Sequence, residues 1–145
     1  MKKLSILGFV MGMIYFTAEG FWRGWTNIAM LFVGGLCCVL IGLLDEFPGK
    51  LKLKLWQQCI LGTLIILTVE FVSGVILNLW LKLRIWDYSN SWGNIKGQVC
   101  VAYGLLWFLL TPFAIWLDDF LRWKLFGEEK PYDIKHIYRD LVRLR

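Results

Sequence analysis

The chain has 145 residues, of which 58% are hydrophobic and 19% charged, with nine Trp and a formal net charge of +5. A soluble domain this small needs far more polar surface to cover itself, so the composition argues against a globular soluble domain and for the membrane class. The basic excess does not point to nucleic acid, because it collects in one connection and in the C-terminal tail, as in the cytoplasmic segments of membrane proteins.

Four apolar runs follow in chain order, at about 4–22, 26–44, 56–81 and 97–117. Each is near the roughly 20 residues that cross a hydrocarbon layer, and the third is long enough to tilt. The first follows Lys2 and Lys3 like a signal peptide, but bulky Phe16 before Ala18 suits a cleavage site poorly, so it reads as a retained helix. Thr26 is the expected N-cap of the second, which stops at Asp45-Glu46-Phe47-Pro48-Gly49. Pro112 is expected to kink the fourth. The expectation is an all-α polytopic membrane protein: a four-helix transmembrane bundle over 1–117, then a basic amphipathic tail over 118–145.

Orientation follows from Lys and Arg. One side of such a bundle holds Lys2, Lys3, Lys50, Lys52, Lys54, Arg122, Lys124, Lys130, Lys135, Arg139, Arg143 and Arg145; the other holds Arg23, Lys82, Arg84 and Lys96. The positive-inside rule predicts a multi-pass cell-membrane protein with both termini cytoplasmic. Trp22, Trp25, Trp80, Trp86 and Trp92 then belt the outer interface, and Trp56, Trp116 and Trp123 the inner one. In the tail, Ile134, Ile137, Tyr138 and Leu141 recur at helical spacing with Lys135, Arg139 and Arg143 on other faces. That pattern suits an anionic leaflet or a docking partner.

Polar groups within the spans mark candidate sites, since an ionisable residue in hydrocarbon is costly. Glu70 stands ten residues before Trp80, about 15 Å deep at 1.5 Å per residue. Thr63, Ser73, Gly74 and Asn78 share its face, giving the third helix a polar stripe. Helix 1 carries Gly8, Gly12, Tyr15, Glu19, Trp22 and Arg23 along one stripe, with Glu19 and Arg23 spaced for an intrahelical pair. Gly34, Cys38 and Gly42 form a small-residue stripe on helix 2, the pattern of close helix packing. The connection from Trp86 to Gln98 reads as an outer lid, with Asp87 expected to meet Arg23. The four cysteines, Cys37, Cys38, Cys59 and Cys100, lie in apolar runs without CxxC, and the single His, His136, is in the tail. No metal or cofactor site is therefore expected.

Trp86-Asp87-Tyr88-Ser89, followed by Asn94 and Gly97-Gln98-Val99-Cys100, resembles the WDYS…N..GQIC signature of the CmpB-like ABC-transporter type IV membrane proteins. Arg23-Gly24 and Glu70-Phe71 with Gly74 and Asn78 match its RG and EF..G...N elements, so the resemblance runs from about Tyr15 to the start of the tail. It implies a compact four-helix transporter component and singles out Arg23, Glu70, Asp87, Tyr88 and Asn94. No GxxxxGK[ST] loop occurs, so such a role implies a separate ATPase subunit, with Lys50–Lys54 and the tail as docking sites.

Three readings follow. The first is a permease-like component, oligomeric or joined to a membrane or ATPase partner, with an outward-facing polar pocket around Glu70, Arg23 and Asp87; Glu19, Tyr88, Asn78 and Asn94 are further substrate-binding or proton-coupling candidates. The second is a structural or regulatory protein whose buried polar groups lock helices. The third, an enzyme acting on lipid through Glu70 and Asp87, lacks a nucleophile motif and a bundle His.

Overall fold

The computed structural model describes residues 2–46 and 53–144, with the backbone alone at 45 and 46. The Phe47-Pro48-Gly49 stop and Lys50 and Lys52 lie outside the described residues, in which there are five α-helices and no strand. They are α1 (Lys2–Arg23), α2 (Ile28–Glu46), α3 (Leu55–Gly74), α4 (Val101–Phe126) and α5 (Ile134–Val142). α3 passes without a break into a π-helical turn, Val75–Trp80.

Three helices, α1, Leu55–Trp80 and α4, are long and apolar enough to cross a membrane, whereas α2 supplies the shorter apolar run Ile28–Leu44. The second helix begins later than expected because Asn27, not Thr26, opens it. The Asn27 side chain accepts from the Ala29 amide at 3.0 Å, and its carbonyl accepts from Met30 at 2.8 Å. Thr26 instead donates its hydroxyl to Glu19.

α1 and α2 lie antiparallel with their backbones in contact. A Cβ on Gly12 would strike the Leu31 carbonyl oxygen and come within 3.2 Å of the Gly35 Cα. Gly35 in turn faces the Gly8 carbonyl. Of the expected small-residue stripe, Gly34 receives the Tyr15 ring and Gly42 the Asp118 carboxyl, so those two positions accommodate side chains instead of a neighbouring backbone. α3 and α4 are also antiparallel, with Gly62 against Thr111 and Glu70 against Trp107. The polar stripe of α3 faces protein: Thr63, Glu70 and Asn78 are all buried.

The fourth helix starts at Val101, since Gly97 occupies a left-handed turn (φ +68°), and it continues past Leu117 to Phe126. Asp118–Phe126, expected as tail, is therefore part of α4, and Asp118 and Arg122 form a buried ion pair one turn apart. α4 closes on Gly127, whose left-handed backbone (φ +71°) lets its amide reach the Trp123 carbonyl at 3.2 Å. α5 folds back against α3 and α4 and buries Leu141. Its Tyr138 hydroxyl donates to the Leu109 carbonyl at 2.8 Å, beside Pro112, which has no amide hydrogen to give the preceding turn. Burial raises the pKa of that phenol above its ordinary value.

The two ends of the bundle differ. At one, Lys3 pairs with Glu128 and lies 5.9 Å over the Phe126 ring, so the start of α1 meets the end of α4. At the other, Arg23 meets the connection between α3 and α4.

Candidate functional site

The site is built where the end of α3 widens. In the π-helical turn the Leu81 amide reaches back five residues to the Ile76 carbonyl, and the Leu83 amide reaches Leu77, both at 2.9 Å. Lys82, between them, takes a left-handed conformation (φ 54°) and reverses the chain. Such wider turns concentrate at functional positions in helices. Here the turn carries Asn78, which is buried and bonds at both ends. Its amide donates to Gln98 Oε1 at 2.9 Å, and its oxygen accepts from the Ile85 amide at 2.7 Å.

The connection that follows is an ordered cap. Ile85 and Trp86 form a buried cluster with Met30, against which Tyr15, Leu77 and Tyr88 pack. The Trp86 indole donates to the Gln98 carbonyl at 3.0 Å, and Gly74 beneath leaves room for both: a Cβ there would stand 3.0 Å from Trp86 Cζ2. Asn94 organises the tip, donating to the Ser89 and Ser91 carbonyls at 3.1 and 2.8 Å and accepting from Gly97 at 3.0 Å. The Tyr88 amide closes the turn on the Gly97 carbonyl at 2.7 Å.

Below this cap lies Glu70, 6% exposed. Tyr88 from the cap donates its hydroxyl to Oε1, and Trp107 from α4 donates its indole N–H to Oε2, each at 3.1 Å. Tyr88 stacks on Tyr103 with centroids 4.5 Å apart, and Trp107 stands 6.4 Å from Tyr103 and 6.2 Å from Tyr15. Burial raises the Tyr88 phenol pKa, with the neighbouring Glu70 charge acting the same way. One carboxyl thus joins α3, α4 and the cap inside an aromatic enclosure.

A second polar cluster sits at the end of α1. Arg23 donates to Glu19 at 2.8 Å and to the Ile85 carbonyl, Thr26 donates to the other Glu19 oxygen, and the guanidinium lies 4.8 Å over the Trp25 ring. The expected Arg23–Asp87 pair does not form, because Glu19 and the Ile85 carbonyl take the guanidinium. Asp87 is exposed and accepts from the Ser89 amide at 2.8 Å and from its hydroxyl, which together hold its carboxyl below the usual carboxylate range.

Of the sequence candidates, Glu70 and Tyr88 meet directly, Glu19 and Arg23 pair beside them, Asn78 anchors the cap from below and Asn94 from within. Sequence reasoning did not single out Trp107, Gln98 or the Asp118–Arg122 pair. Trp107 carried one usable signal, a Trp in the interior of an apolar run and not at its interfacial end. Asp118 and Arg122 carried another, the favourable four-residue order of opposite charges. An apolar surface groove between α2 and α3, lined by Leu40, Leu44, Leu64 and Val69 among others, does not include Glu70.

Comparison with curated proteins and with solved structures gave no match. A family model does match, over residues 3–131, a stretch that begins near the start of α1 and takes in the cap, Glu70, Trp107 and all of α4. The chain belongs to the family described as putative ABC-transporter type IV.

Proposed function

We propose that this protein is a membrane-embedded, non-ATPase subunit of a transport assembly, in which the cap from Trp86 to Gln98 gates a polar site centred on Glu70. The observation that carries this reading is the double hold on Glu70: one oxygen is bonded from the cap and the other from α4. A carboxyl used only to lock helices needs no partner in a surface connection. The reading takes Ile28–Leu44 as a fourth and shortest span, places both termini on the cytoplasmic side, and assigns the basic tail as the surface for an ATPase partner. The Lys and Arg distribution supports that orientation, and the meeting of Lys3 with Glu128 supports both ends lying together.

Cys100 is a built-in reporter, a free thiol buried directly behind the cap. In proteoliposomes of protein whose other three cysteines are replaced by Ala, Tyr88→Phe removes a bond worth about 1 kcal/mol, and a membrane-impermeant maleimide should label Cys100 several-fold faster. Unchanged labelling overturns the gate.

The structural reading has one observation in its favour, that both Glu70 oxygens are already bonded. It expects Glu70→Gln to lower thermal stability with no change in Cys100 labelling.

A further inference from the structure

Glu19, Asp118 and Glu70 are buried carboxylates, and they are not provisioned alike. Glu19 has Arg23 and Asp118 has Arg122. Among the described residues, Glu70 is bonded by two neutral groups only, a phenol and an indole. These donors orient the carboxyl but bring no counter-charge, so a cation delivered to it would stabilise its ionised form in the bundle core. Arg23, the cation of the neighbouring cluster, is committed to Glu19 and to the Ile85 carbonyl.

The walls say which kind of cation. Tyr15, Tyr88, Tyr103 and Trp107 stand around Glu70 with centroids 4.5 to 6.4 Å apart in successive pairs. All four are partly exposed while Glu70 is buried, so the rings reach from the surface down to the carboxyl. α1 packs chiefly on α2 and touches α4 little, so Tyr15 and Trp107 meet across a sparsely packed boundary. Ring faces attract ammonium and its alkyl groups through the quadrupole, and Trp is the strongest such surface. Hard metal ions are poorly served here: they need several oxygen ligands, and no group of three His, Cys, Asp or Glu able to hold one occurs among the described residues. An anion would meet a carboxyl and no cationic side chain bonded to it.

We infer that the Glu70 enclosure binds a small organic ammonium cation, with the carboxylate as counter-ion and the Tyr15, Tyr103, Tyr88 and Trp107 rings as its cage. The inference rests on the gated-site reading and names the substrate class for that site. The ammonium could belong to a free amine or to a lipid headgroup, and the test separates these sources.

The full chain is placed in nanodiscs of phosphatidylglycerol, which carries no ammonium, and titrated with labelled tetramethylammonium by equilibrium dialysis. Saturable binding is expected, displaced by choline but not by its uncharged isostere 3,3-dimethylbutan-1-ol. Glu70→Gln should weaken binding about tenfold or more. Tyr103 makes no hydrogen bond to Glu70, so its variants test the cage even if Glu70→Gln folds poorly; Tyr103→Leu should lose clearly more affinity than Tyr103→Phe, which keeps the ring face. At high salt, which screens the difference in surface charge between the two lipids, nanodiscs of phosphatidylcholine should lower the apparent affinity if the headgroup is the ligand and leave it unchanged if the ligand is a free amine.

Absence of saturable binding, equal displacement by the uncharged isostere, or equal loss in Tyr103→Leu and Tyr103→Phe overturns the inference. If binding is absent while Tyr88→Phe still speeds Cys100 labelling, the ammonium site falls and the gate stands. If binding is present and labelling unchanged, the gate falls and the site stands.

Discussion

Asn78 and Gln98 share a buried hydrogen bond of 2.9 Å that ties the wide turn ending α3 to the segment entering α4. The same Asn78 side chain holds the Ile85 amide, so one residue fixes both ends of the cap. Asn78→Ala strands the Ile85 N–H and the Gln98 oxygen together. Each orphaned buried group costs about 1–3 kcal/mol, so the expected loss is about 2 kcal/mol or more. Unfolding in mixed detergent micelles measures it, and hydrogen exchange at Ile85 should accelerate in parallel. An unchanged Ile85 exchange rate would show that the cap does not depend on this bond.

Gly12 and Gly20 lie on the same helix but predict opposite signs. A Cβ at Gly12 meets the Leu31 carbonyl, whereas one at Gly20 meets only Thr26 Cγ2 at an ordinary 3.5 Å. Gly12→Ala should destabilise by about 1–3 kcal/mol through overpacking. Gly20→Ala should be neutral or stabilise by up to about 1 kcal/mol, through helix propensity. Thermal unfolding of the two variants side by side is the measurement, and a loss of equal size in both would contradict backbone contact between α1 and α2.

Asp87 gives the cap a pH dependence of defined sign. Its folded pKa lies below the ordinary 3.8 because the Ser89 hydroxyl and amide favour the carboxylate. A depressed folded value means that the turn's contribution is complete above the ordinary value and is lost as pH falls through the lower one. The Ser89 amide resonance should therefore titrate below 3.8 in wild type. In Asp87→Asn, which keeps an acceptor without a charge, it should be flat. A wild-type midpoint at or above the ordinary value would count against the Asp87–Ser89 turn.

Tyr138→Phe removes the hydroxyl that serves the Leu109 carbonyl next to Pro112. A loss of about 1 kcal/mol in α5 docking is expected. Faster protease cleavage within Ile134–Val142, with the rest of the chain unaffected, would register it; identical cleavage would place the docking energy in Leu141 and its neighbours.

Much of this protein was legible from local pattern. Apolar runs of spanning length, the stripe of Thr63, Glu70, Gly74 and Asn78, the Glu19–Arg23 pair and the helix of the tail all follow from periods along a single helix, which the order of residues encodes directly. Element ends were less legible. Thr26 and Asn27 are both good caps, and the choice between them went to Asn27 because Glu19, seven residues back, takes the Thr26 hydroxyl. Likewise α4 runs on past Leu117 because Asp118 and Arg122 satisfy each other inside the helix, where charges in isolation read as a solvated tail.

What tertiary structure alone decided is who meets Glu70. Tyr88 and Trp107 are 18 and 37 residues away in sequence, and Asp87 rather than Tyr88 carries the charge that sequence reasoning follows. The π-helical turn and the left-handed Lys82 rotate the chain so that Tyr88 points down and Asp87 points out. Neighbours in an extended segment face opposite ways, and which of the two faces the carboxyl depends on how many residues the turn before them consumes. That count comes from packing Ile85 and Trp86 against Met30, a contact across the bundle that no local period records.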